Sequence, residues 1–183
     1  GGSSLDWNKT MAEQCAAEFG IFIVAPDAQH SLCSNMEYGP QYEEFLSKEL
    51  PGIIRNNLPA SEKAEKNWIG GVGTGAYGAV KAAIKHPEVF SKCIAMDGIF
   101  DMEQIYRQAK RGEPTDIFHT EESLKAVFGD LQTFSGSGHD IYALADNCRE
   151  GEFYIAGTTG SVRAKERQRL AESLKEKAMD TCS

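Results

Sequence analysis

Between Asn67 and Ala83 the chain reads NWIGGVGTGAYGAVKAA, with five glycines where an apolar run meets an alanine-rich one. The first run reads as a strand and the second as a helix, so the glycines mark a sharp turn where another group can approach the backbone closely. A helix starting there offers unpaired N–H groups and the positive end of its dipole at the turn. Residues 92–96 form the next apolar run, so strand, helix and strand follow at the spacing of a right-handed βαβ crossover.

The rest of the pattern extends this unit. Asp6 is placed to cap a helix running to Phe19, with Leu5, Met11, Cys15, Ala16 and Phe19 on one stripe and Gly20 as its stop. The continuous apolar run of residues 21–25 predicts a buried parallel strand, ended by Pro26 and Asp27. A polar loop to Pro40 precedes a helical pattern over 41–57 whose buried side is Phe45, Leu46, Leu50, Ile53, Ile54 and Leu58; Pro51 should kink or restart it. Residues 102–110 and 121–128 read as short helices inside a lid-like insertion at about 101–139. Residues 140–148 read as a short helix, 152–156 as a strand and 161–177 as an amphipathic helix. The fold class is α/β with a mainly parallel sheet, in a single domain over residues 1–183.

Composition narrows the partners. A formal charge of −8 without a Lys/Arg run excludes the positive clusters that nucleic acid or an anionic membrane surface attracts. No apolar stretch reaches the roughly 20 residues that cross a bilayer, and the N-terminal GGSS has no signal-peptide pattern, so a cytoplasmic chain is expected. Cys15, Cys33, Cys93, Cys148 and Cys182 are scattered, without metal-ligand spacing, and read as free thiols. They call for no metal or cofactor.

Two chemistries fit the glycine turn. Gly73, Gly75 and Gly78 satisfy the GxGxxG of a dinucleotide site, with Asp97 about 20 residues on as the ribose-binding acid. The turn also has the form of a nucleophile elbow, GxSxG, where the N–H of the residue after the nucleophile helps form an oxyanion hole. The surrounding residues bear on the choice: GVGTGAYGAVK over 71–81, HPEVF over 86–90, FIVAPD over 22–27, YGPQYEEFLSKELP over 38–51, DIYALA over 140–145 and YIAGT over 154–158. Together they resemble the α/β-hydrolase esterases that include esterase D, S-formylglutathione hydrolase and tributyrin esterase. In that family the elbow reads GLSMGGYGALK. The likeness covers nearly the whole chain and implies an α/β-hydrolase-like three-layer sandwich, a small acyl ester or thioester as ligand, and serine-hydrolase chemistry.

The same resemblance shows what has changed. It puts the nucleophile at Gly73 and the oxyanion N–H at Thr74, and glycine has no nucleophile. The acid of a GTxD segment falls on Gly160 of GTTG, leaving Asp97 or Asp101 as alternative acids. The base, in a GGHDW-like string after one more strand, has no counterpart. Gly138-His139-Asp140 mimics the string ahead of the wrong strand, His86 matches the ordinary HPE, and His30 and His119 carry no signal. The family's early strands, with its oxyanion loop, and its last strand are also without counterparts, and the GGSS stretch also fits a cloning scar. Three readings follow: an inactive esterase scaffold; an active short-chain acyl esterase completed by a longer chain or partner, with Thr74 or Cys93 as nucleophile; and the dinucleotide binder. A sheet edge left open by a missing strand favours a homo-oligomer.

Overall fold

In the computed structural model, which describes residues 3–115, 117, 119–158 and 160–179, with the side chains of 175–179 set aside, three strands form a parallel sheet in the order β1-β2-β3. They are β1 (Trp68–Val72), β2 (Lys92–Met96) and β3 (Glu152–Ala156). The register pairs Trp68 with Lys92 and Lys92 with Glu152, and so on to Val72, Met96 and Ala156. The helices are α1 (Ala12–Phe19), α2 (Tyr42–Glu44), α3 (Leu50–Asn57), α4 (Thr74–Lys85), α5 (Met102–Lys110), α6 (Glu121–Phe128), α7 (Ile141–Asp146) and α8 (Ala164–Met179). The expected βαβ unit is β1-α4-β2.

The core lies on one side of the sheet. Alternation along the strands turns Ile69, Cys93, Ala95, Phe153 and Ile155 toward α4, whose Ala76, Tyr77, Val80 and Ala83 are buried against them. Residues of the expected insertion share this core: Met102, Ile105, Leu124, Val127, Phe128 and Phe134 belong to the same apolar cluster as Tyr77 and Leu170 of α8. Local capping sets the helix starts. Asp101 accepts from Gln104 N to open α5, Thr120 from Ser123 N to open α6, and Asp140 from Tyr142 and Ala143 N to open α7.

The structure corrects three expectations. Residues 21–25 form no strand, and Ile21, Phe22, Ile23 and Val24 are exposed. A strand exists only through its ladder, and no described segment pairs with this one. The single helix from Asp6 to Phe19 is instead a 3-10 helix (Ser4–Lys9) followed by α1. Thr10 breaks it in an extended conformation, its hydroxyl donating to Trp7 O and accepting from Ala12 N. Gly20 does stop α1, in the left-handed region at φ 61°, but the stripe is not buried, since Leu5, Met11 and Phe19 are exposed.

The third correction concerns residues 41–57. The expected restart at Pro51 is found, with Pro51 second in α3, but the stretch before it and the buried face differ from the expectation. A π-helical stretch, Phe45–Glu49, leads into α3, with Leu50 N donating to Phe45 O. This widened register accommodates a proline that lacks an N–H and would crowd the carbonyl one turn back. The buried face is Glu43, Leu46 and Ser47, whereas Ile53 and Leu58 are exposed.

Candidate functional site

At the C-terminal end of β1, Gly73 caps α4 with φ 60° and ψ −119°, a conformation that L side chains rarely adopt. Three hydrogen bonds pin it: its N–H donates to Met96 O (3.1 Å), and its carbonyl accepts from Ile99 N (3.2 Å) and Tyr77 N (3.4 Å). Gly71 allows the turn to close, because a Cβ there would collide with the backbone of Gly75 and Ala76. Gly73 itself faces open space, with no atom within 4 Å of where its Cβ would stand. The apex is thus shaped and oriented as a nucleophile elbow and carries no functional group.

Thr74 is the first residue of α4, so its N–H, with those of Gly75 and Ala76, lies in the first turn without an intrahelical acceptor. These N–H groups and the dipole can receive an anion or a polarised carbonyl oxygen. They supply stabilisation but not a bond-forming atom.

The expected acids are occupied. Asp97, at φ 43°, accepts from Thr158 N (2.7 Å) and Thr158 Oγ1 (2.8 Å) and lies 3.5 Å from Arg167 Nη1. The Thr158 backbone and side-chain donors, then the Arg167 and Arg163 charges, hold its carboxyl below the ordinary range. With Asp97 N bonded to Ala156 O, the residue ties the β2 end to the β3 end. Gly160 has φ 80°, nothing within 4 Å and no carboxylate; its neighbour Thr159 lies outside the described residues. Arg167 lies over Gly157, and its Nη2 donates to Thr158 O, so a guanidinium lies beside the segment where the resemblance places an acid. Asp101 is spent on the α5 cap.

Among the described residues no imidazole lies within 4 Å of where a Gly73 Cβ would stand. His139 lies beside α4, its carbonyl accepting from the buried Tyr77 hydroxyl (2.7 Å) and its ring 5.1 Å from Phe128. Burial, with Lys81 and Lys85 close by, pushes its pKa down to about 4, so the ring is neutral at pH 7. His30 and His119 meet edge to face at 5.7 Å, and His86 lies near Glu43 and Glu88. Cys93 is buried in β2 and burial pushes its thiol up to about 12, which removes it as a nucleophile. Cys15, Cys33, Cys93 and Cys148 are free, and Cys182 and the first two residues of GGSS lie outside the described residues. Among the described residues no His, Cys, Asp and Glu cluster could hold a metal ion, and no helix is long and apolar enough to cross a membrane.

Two features went unread in the sequence. Glu166 accepts from Phe100 N (3.0 Å) and Asp101 N (3.2 Å), fastening α8 to the loop after β2. A buried polar cluster lies under α4: Lys81 donates to Ser34 Oγ (2.5 Å) and is 3.5 Å from Glu43, which also pairs with Lys85. Burial raises the Glu43 carboxyl, but the charges of Lys81, Lys85 and His86 and the bond from Lys85 outweigh it. Nothing in the run of a surface-like helix marks Glu43 as an inward residue. Gly78 also proves to be a packing glycine, since the Cys33 side chain fills the space a Cβ would need.

Residues 13–176 match the family described as Putative esterase. An acetyl esterase of Caldicellulosiruptor saccharolyticus is 26% identical over 189 residues, covering 98% of this chain and 69% of that protein. The fluorophosphonate-binding serine hydrolase F of Staphylococcus aureus superimposes with a TM-score of 0.81 at 22% identity, over 96% of this chain and 67% of that one. The S-formylglutathione hydrolase of the same organism gives 0.76 at 23%, with the same coverage. The fold is α/β-hydrolase-like with a small parallel sheet, and these likenesses favour the hydrolase scaffold over the dinucleotide site of Gly73, Gly75, Gly78 and Asp97.

Proposed function

The chain belongs to this esterase family, and on that footing we propose that it is a catalytically silent esterase scaffold that binds a small acyl ester or thioester at the α4 N-terminus without cleaving it. The observation that carries the reading is Gly73: an open elbow apex, held at φ 60°, with no side chain to attack a carbonyl. The second support is the occupied chemistry around it. Asp97 is committed to Thr158 and Arg167, His139 is bonded beside Tyr77, and Gly160 offers no acid. What survives of acyl transfer is the set of free N–H groups at Thr74, and such stabilisation alone is worth orders of magnitude less than a complete triad.

The test is hydrolysis of a chromogenic short-chain ester by the unmodified chain and by Gly73→Ser, with intact mass recorded after a fluorophosphonate probe. Both proteins should fall orders of magnitude short of a complete triad, because the unmodified chain has no attacking atom at the apex and a serine without a base stays protonated. Melting temperature should rise with a short-chain ester. Turnover or labelling of the unmodified chain would overturn the proposal and favour the active reading, in which a longer chain or partner completes the enzyme.

A further inference from the structure

Residues 135–140 form the turn that leads into α7, and much of it stands in water: Ser135, Gly136 and Gly138 are exposed. What the turn sends inward is His139. The Tyr77 hydroxyl donates to the His139 carbonyl (2.7 Å), the ring packs 5.1 Å from that of Phe128, and no described residue bonds its buried Nδ1. Tyr77, Lys81 and Lys85 face the turn from one stripe of α4, each four residues on, and Glu43 faces it from α2. The Glu43 carboxylate is already divided between the two lysines, with His86 Nε2 3.5 Å away. Asp140, next to His139 in the turn, is engaged with the N–H groups of Gly136, Tyr142 and Ala143.

We propose that His139 is an acid-released latch: taking up a proton sets a third cation against Lys81 and Lys85 and frees residues 135–140 from α4. Lys85 Nζ lies 3.5 Å from where a Gly138 Cβ would stand, so the repulsion acts on the turn itself. Glu43 attracts the charged ring, but burial and the two lysines outweigh it and lower the pKa from 6.5 to about 4. In the released turn water surrounds the ring, and its ordinary value near 6.5 returns. The closed form therefore binds the proton more weakly than the open form does. The latch holds in full above about pH 6.5 and is lost as pH falls toward 4. Between pH 7 and pH 5 these two values raise the opening about 20-fold. Lys81, whose pKa of about 8 lies above this window, stays charged through it. Release uncovers an aromatic cluster, the buried Tyr77 and Phe134, both meeting Phe128 edge to face.

The experiment is hydrogen exchange at pH 7 and pH 5, read by mass on the peptide spanning 131–141 and corrected for the intrinsic pH dependence of amide exchange, beside an NMR titration of the histidine rings. The unmodified chain should open at this peptide about 20-fold more at pH 5, and the His139 ring should titrate near about 4. His139→Gln keeps the backbone carbonyl for Tyr77 and cannot be charged, so it should remove the pH dependence. Lys85→Gln, at a partly exposed position, should leave the chain folded by circular dichroism and weaken the response. Tyr77→Phe loses the bond to the His139 carbonyl and should open the turn about 5-fold more at both pH values, leaving their ratio unchanged. A His139 ring that titrates at 6.5 or above, equal opening at the two pH values, or a response that survives His139→Gln or is undiminished in Lys85→Gln would overturn the proposal. So would exchange that rises in step over the whole chain, since the release would then not be local. None of these outcomes depends on whether the elbow is silent.

Discussion

Replacing Lys81 with methionine tests whether the charge buried under α4 stabilises the fold or is merely tolerated by it. Burial, opposed chiefly by Glu43, lowers the Lys81 pKa from 10.5 to about 8. That displacement amounts to about 3 kcal/mol of folding free energy at pH 7. The folded chain binds this proton more weakly than the unfolded chain does. The penalty is therefore fully present below about pH 8 and fades toward pH 10.5, so stability from this group rises with pH. Methionine fills a similar volume without charge and loses the bond to Ser34, worth about 1 kcal/mol. Glu43 keeps Lys85. Lys81→Met should thus gain about 1–2 kcal/mol at pH 7 and gain nothing by pH 10. Glu43→Gln leaves Lys81 and Lys85 facing each other without their anion and should lose about 3–5 kcal/mol. Urea unfolding of the three proteins at both pH values reads these differences. If the Lys81→Met effect is the same at pH 7 and pH 10, or is a loss of several kcal/mol at pH 7, the assigned pKa and this account of the cluster are wrong.

Two further outcomes can be checked. Gly71→Ala drives a Cβ into the Gly75 backbone and should lose at least about 3 kcal/mol, whereas Gly75→Ala, which meets open space, should change stability by less than about 1 kcal/mol in thermal or urea unfolding. Cys93 should escape iodoacetamide in the folded chain under mildly alkaline conditions while the partly exposed Cys15 is modified; peptide mass mapping that found Cys93 labelled first would mean that β2 opens readily.

The elements legible in the sequence are those whose ends are set by neighbouring residues. Residues 92–96, 102–110, 121–128 and 152–156 form as expected because caps and turn residues act within a few positions. The glycine elbow is legible for the same reason: the conformation at Gly73 and the close approach at Gly71 are demands on single residues. That Gly73, at the apex of this turn, offers no side chain is likewise plain in the residues alone.

Relations between distant segments were decided only by the tertiary structure. The apolar run 21–25 has the composition of a strand, but a ladder needs a partner that no local pattern supplies. Asp97 looks like a free acid until Thr158, 61 residues on, and Arg167 are folded onto it. His139 looks like a base until its place beside Tyr77 is known. Glu43 and Lys81 look like solvated charges until the 31–47 segment packs on α4 and makes them each other's partner. Local sequence determines helix ends and turn geometry because these obey short-range sterics and hydrogen bonding. Which carboxylate is free, which cation is buried and which apolar stripe stays exposed depend on contacts between segments far apart in the chain.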